Sequence, residues 1–157
     1  MRLLIVAVGR MKRGPERELV ERYVTRAAQS GRALGLAGCD VIEVPESRAS
    51  SADRRKVEEA KAIRSKLPEG AAVLALDERG QAMDSRIFAR SVDDARAANR
   101  SAFACVIGGP DGLDPSLTAV AASFGRFVLP HQIVRVLVAE QLYRATTILL
   151  GHPYHRD

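Results

Sequence analysis

The sequence predicts a single α/β domain built on a mostly parallel sheet with helices on both faces. Three observations carry that expectation. Apolar runs of strand length alternate with stretches of helical periodicity along the whole chain, the order that builds parallel sheets. The chain has 157 residues, 46% hydrophobic and 27% charged, which suits one core and leaves little room for a second. No internal repeat, low-complexity tract or linker interrupts the pattern.

Each element has its own signal. Residues 3–8 (LLIVAV) form a continuous apolar run, the mark of a strand covered on both faces. A polar turn at 9–14 follows, then Pro15-Glu16 opens a helix with Leu19, Tyr23 and Ala27 at helical spacing. Residues 40–45 (DVIEVP) read as a short strand ended by Pro45. Ser51-Ala52-Asp53 caps a helix to about residue 67, with Val57, Ala60 and Ile63 inward, and Pro68-Glu69-Gly70 stops it. Residues 71–76 make a strand that closes on Asp77-Glu78-Arg79-Gly80, a turn by composition. Asp84-Ser85 opens a helix with Phe88, Val92 and Ala95 on one face, and 102–107 is the next strand. After the glycine-rich 108–112, Asp114-Pro115 predicts a helix to about 123, and 126–129 a short strand. Pro130-His131 then leads into a long helix to about 150. That helix is apolar around most of its circumference, so a second subunit is the expected cover.

Charge is unevenly placed. The formal balance is +5, and residues 1–32 hold eight Lys/Arg (Arg10, Lys12 and Arg13 among them) against three Glu. Such a cluster attracts phosphate backbones, although a solvated helix face has the same composition. With no Trp and few aromatics, a stacking platform for single strands is not indicated. No apolar stretch approaches the roughly 20 residues of a membrane span, and 3–8 is too short for a secretory signal. The expected setting is cytoplasmic, without membrane contact. Cys39 and Cys105 stand far apart and outside any metal-binding spacing, so both read as reduced, structural thiols.

In open parallel sheets ligands bind at the carboxyl ends of strands. Three such ends are rich in candidates: 76–80, 108–112 and 129–131. The glycines of IGGPDG permit close approach of backbone to a ligand, but the run matches neither a dinucleotide fingerprint nor a P-loop. His152 and His155 form an HxxH with no nearby cysteine, so no metal is expected. No GxSxG is present. What remains is Pro153-Tyr154-His155-Arg156, a base, a phenol and a cation lying beyond the last helix, where packing does not demand them.

Several of these segments together resemble one family. LALD (74–77), VIGGPDG (106–112), LPHQIVRVL (129–137), AEQLYRA (139–145) and PYHR (153–156) are similar to the SPOUT class of α/β-knot methyltransferases. Within it they look like the bacterial enzymes that methylate N3 of a pseudouridine in large-subunit rRNA. The resemblance spans the whole chain in element order, and Val6-Ala7-Val8-Gly9 also fits. Asp77-Glu78-Arg79-Gly80 and the loop carrying Arg10 and Arg13 look variable in that family.

The resemblance implies a C-terminal deep trefoil knot, one of the exceptions to the rule against knots, and a homodimer built on the knot helices. It implies S-adenosylmethionine as cofactor, held at Leu76, Gly108, Gly109 and the stretch Phe124, Gly125, Arg126, Phe127, Val128, Leu129. A side chain at Gly108 would then take space the ligand needs. The partner is 23S rRNA, in the large subunit or the assembled ribosome. N3 of a uracil-type ring carries a proton at neutral pH and must lose it on attack. His155 is the base candidate, since histidine ordinarily titrates near 6.5. Tyr154 is expected to orient the ring, and Arg144 or Arg156 to stabilise charge or hold a phosphate. Loss of the proton to water, with the tail only binding, is the alternative. A non-catalytic ribosome-binding assembly factor with the same fold is the competing function. A nucleotide-binding oxidoreductase fails for want of a fingerprint.

Overall fold

β1 (Arg2–Val8) and β4 (Ala102–Ile107) pair in parallel at the centre of the sheet. All of β4 and all but the first residue of β1 are buried, because helices cover both sides of the pair. β2 (Cys39–Val44) flanks β1, while β3 (Ala72–Ala82) and then β5 (Ala121–Ser123) extend the other side, giving the order β2-β1-β4-β3-β5 with every pairing parallel. The computed structural model describes residues 1–125 and 127–156.

Side chains alternate between two cores, as the strand period requires. Leu3, Ile5 and Ala7 with Phe103, Cys105 and Ile107 face α1 (Pro15–Gly31), α3 (Ser85–Ala97) and α4 (His131–Leu149). Leu4, Val6 and Val8 with Ala104 and Val106 face α2 (Ala52–Arg64). α1 begins with Pro15 and carries Glu16 and Glu18 in its first turn, which suits the positive end of a helix dipole. Ser51 caps α2 by accepting the Arg54 N–H, and Asp84 caps α3 by accepting the Ile87 N–H at 2.7 Å. Both cysteines are buried, and burial pushes the Cys39 thiol up to about 12, so neither is a ready nucleophile.

Four expectations need correction. The helix forecast to 123 is a single 3-10 turn, Pro115–Leu117. Asp114 does cap it, through the Ser116 N–H, but the chain then leaves to lay β5 beside β3, with the Ala75 N–H bonding Val120 O at 2.9 Å. Sheet pairing outweighs helix propensity there. The strand forecast at 126–129 is absent from 127–129, and Arg126 lies outside the described residues. Residues 77–80 are not a turn between elements but an irregularity inside β3, whose register against β5 shifts between Leu76 and Gln81. Gly80 is needed because a Cβ there would stand 2.7 Å from the Ala122 backbone. On α2, Val57 points outward and Glu59 takes the inward place beside Ala60 and Ile63.

Part of α4 is covered by the chain itself. Val138, Ala139, Leu142 and Ala145 are buried within the chain itself, because α4 packs on both α1 and α3. Apolar side chains left exposed on and beside the helix include Ile133 and Leu150. Ile63→Ala should cost about 2–5 kcal/mol in urea unfolding, whereas Val57→Ala should stay within about 0.5 kcal/mol. Equal losses would contradict the observed face of α2.

Candidate active site

The three strand ends singled out above meet around one cavity of about 410 Å³. Leu76 closes the regular part of β3, Gly108 and Gly109 follow β4, and 124–129 follow β5. Of the positions assigned to cofactor binding, Leu76, Gly108, Gly109, Phe124, Gly125, Phe127, Val128 and Leu129 all line it; Arg126 is outside the described residues. Phe127 and Val128 are more than four-fifths exposed at its rim, apolar surface that a bound ligand or another chain would cover.

The wall made by 108–112 is a turn folded tightly on itself. The Gly112 N–H bonds Gly109 O at 3.0 Å, and Gly112 adopts φ +84°. A Cβ on Gly108 would lie 2.7 Å from the Gly112 backbone. The requirement for glycine at 108 is therefore internal to the turn, before any ligand is considered. Beneath it, Glu59 is buried. Its Oε1 accepts the Ser47 N–H at 3.0 Å, and its Oε2 has no hydrogen-bond partner among the described residues.

Some cavity residues lie outside the strand ends singled out from the sequence, Lys56 and Val134 among them. His131 and Val134 enter from the start of α4, and Lys56, Asp77 and Asp111 add charge. Asp77 is held by Arg79, which donates from Nε at 3.0 Å and Nη2 at 3.1 Å. That guanidinium keeps the carboxyl below its usual range. The strand-end rule had taken in His131, Asp77 and Asp111; nothing local marks Lys56, which arrives from α2.

The tail does not reach this cavity. Among the described residues, none from 140–156 lines it, and Arg144 lies about 15 Å further along α4 than Val134 at the helical rise. Nor is the tail loose, as its position after the last helix had suggested. The Tyr154 hydroxyl donates to Glu140 Oε1 at 3.0 Å, and its ring packs tilted against Tyr143 with centroids 4.7 Å apart. Arg144 donates to the same Glu140 oxygen from Nε and Nη2, and its guanidinium lies 4.8 Å from the Tyr154 ring centroid. Burial, with the Tyr23 and Glu140 contacts, pushes the Tyr154 phenol up, so it stays protonated. His155 Nδ1 faces Arg144 Nη1 across 3.4 Å, and Arg156 is exposed. Glu140 organises the tail and was not foreseen; its i,i+4 spacing to Arg144 was the available signal.

Comparison with known proteins is consistent across the chain. The family described as "Predicted SPOUT methyltransferase" matches residues 1–155. A protein of Methylobacterium radiotolerans named "Ribosomal RNA large subunit methyltransferase H" is 55% identical, over 99% of this chain and 98% of the relative. Relatives of the same name from Brucella anthropi and Agrobacterium fabrum are 52% and 53% identical, covering at least 99% of both chains.

Glu59 gives the site a measurable signature. Burial, with Asp111 and Glu46 nearby, raises its carboxyl pKa against the opposing Ser47 N–H and Arg55. The folded state then holds the proton more tightly than the unfolded state. Its contribution to stability is complete below the unfolded value and is lost as pH rises through the folded one. Glu59→Gln should therefore be more stable than wild type at pH 7 in denaturant titrations, with the gap closing near pH 4. A less stable variant at pH 7 would contradict this.

Proposed function

The chain belongs to the SPOUT methyltransferase family, and on that premise we propose that it transfers a methyl group from S-adenosylmethionine to N3 of a pseudouridine in 23S rRNA. The convergence of Leu76, Gly108, Gly109, Phe124, Gly125, Phe127, Val128 and Leu129 on one cavity carries the reading. The residues suit that cofactor. A glycine turn gives backbone access, exposed Phe127 and Val128 offer apolar cover, and the volume is that of a small-molecule site. Bound there, S-adenosylmethionine supplies a methyl group already activated on a sulfonium. The threading of the C-terminal segment through a trefoil knot is part of the same proposal, supported by family membership.

The chain's own work is to hold, orient and remove a proton. Leu76, the 108–109 backbone, Phe124, Gly125, Phe127, Val128 and Leu129 line the cavity that holds the cofactor. Tyr154 orients the target ring, while Arg144 and Arg156 hold phosphate or developing negative charge. His155 accepts the N3 proton. Its Nδ1 can do so only when Arg144, 3.4 Å away, turns from it.

Cavity and tail are apart in one chain, and this supports a homodimer in which one subunit's tail faces its partner's cavity. The basic loop is positioned to meet an RNA backbone. Arg10, Lys12 and Arg13 are exposed around buried Met11, whose N–H bonds Glu43 at 2.7 Å. None of the described helices is long and apolar enough to cross a membrane, and ribosomal RNA as substrate favours a cytoplasmic setting.

Methyl transfer to a 23S rRNA fragment containing the pseudouridine tests the reading. Product bearing the methyl group at N3 is expected, and transfer to another position or none would refute it. His155→Ala should lower the single-turnover rate at saturating RNA by about 10²–10⁴-fold and remove the acidic limb of the pH profile. A raised KM with an unchanged saturated rate would reduce the tail to RNA binding.

A further inference from the structure

The 108–112 turn is held by a residue of α2 that does not itself line the cavity. The turn Gly108-Gly109-Pro110-Asp111-Gly112 has two side chains beyond hydrogen, and Pro110 is exposed. Asp111 is the one polar handle by which the fold can grip it. Arg55, on α2, takes that handle with a bidentate fork: Nε to Oδ2 at 2.6 Å and Nη2 to Oδ1 at 2.9 Å. The third guanidinium nitrogen donates to Ala49 O at 2.9 Å, so the whole group is fixed between the link before α2 and the turn. A planar fork of this kind fixes direction as well as distance.

The floor beneath the turn is equally close. A Cβ on Gly109 would lie 3.1 Å from both Glu59 Oε2 and Val8 Cγ1. The turn is thus pressed between a floor of Val8 and Glu59 and a tether through Asp111. Arg55 and Glu59 stand one helical turn apart on α2, the helix that also sends Lys56 to the cavity. Nothing in the sequence of the glycine turn announces this support, since its partner lies 56 residues earlier.

We infer that Arg55 is a positioning residue for cofactor binding: by holding Asp111 it sets the backbone of the 108–112 turn against the ligand. This rests on reading the cavity as the S-adenosylmethionine site. Freed from Arg55, the turn samples positions in which the Gly108 and Gly109 backbone no longer meets the ligand, and affinity falls by the fraction of time it is misplaced. Asp111 itself borders the cavity, so Arg55 is the cleaner place to cut.

Calorimetric titration with S-adenosylmethionine tests this on the full chain. Wild type should bind; absence of binding would refute the assignment of the cavity itself, a different failure. Arg55→Ala should weaken binding about tenfold, with a ligand-free unfolding midpoint within about 3 °C of wild type and the RNA KM unchanged. Affinity within about twofold of wild type would overturn the inference. Arg55→Lys keeps the charge but cannot fork, and should fall with the alanine variant. Wild-type affinity in the lysine variant would overturn the positional argument in favour of a simple charge effect.

Discussion

A single buried guanidinium joins the parts of this protein that have to stay in register. Arg135, on the second turn of α4, donates from Nη2 to the carbonyls of Val8 and Gly9 at 2.5 and 2.7 Å and from Nη1 to Glu43 at 2.9 Å. It therefore binds the end of β1 and the end of β2 to the helix whose first residues border the cavity. Glu43 also accepts the Met11 N–H, so the same carboxylate anchors the loop that carries Arg10, Lys12 and Arg13. Losing Glu43 would leave the buried Arg135 charge without its carboxylate partner. The cavity wall, the basic loop and the last helix thus share one fastening.

Around that fastening the protein divides its labour. The glycine turn after β4 and the segment after β5 give the cavity its shape. α2 holds the turn through the Arg55–Asp111 fork. The tail is held elsewhere, by Glu140, with Tyr154 packed against Tyr143 and Arg144 over the Tyr154 ring. Tyr143 in turn meets Tyr23 and Arg26 of α1. The cavity and the tail are separated along the length of α4, and the proposed homodimer would bring one subunit's tail to its partner's cavity.

Much of this could be read from residues in order. The runs at 3–8 and 102–107 marked the central strands because burial on both faces leaves no alternation to misread. Caps at Ser51, Asp84 and Asp114 marked real starts. The stretch after Asp114 went wrong for a physical reason: a cap fixes where a helix begins, whereas 120–123 was decided by pairing with β3, which no local window contains. Gly80 looked like a turn and proved to be a close approach. Val57 looked apolar and inward, yet the adjacent Glu59 was taken inside. For the site, the described positions assigned to cofactor binding gather around one cavity. Arg55, Glu59 and Arg135 act through contacts up to 127 residues apart and leave no mark on neighbouring sequence, whereas Glu140 holds the tail and is marked by its i,i+4 spacing to Arg144.

The central claim is that one subunit's cavity works with the other's tail, and complementation between two inactive variants tests it most directly. Gly108→Val disables a cavity and His155→Ala disables a tail. When the two are co-expressed with different tags and the mixed dimer is isolated, one intact cavity faces one intact tail only if the site is shared. The account predicts methyl transfer to 23S rRNA by the mixed dimer, at up to about half the wild-type rate per dimer. A mixed dimer as inactive as its parents would contradict it.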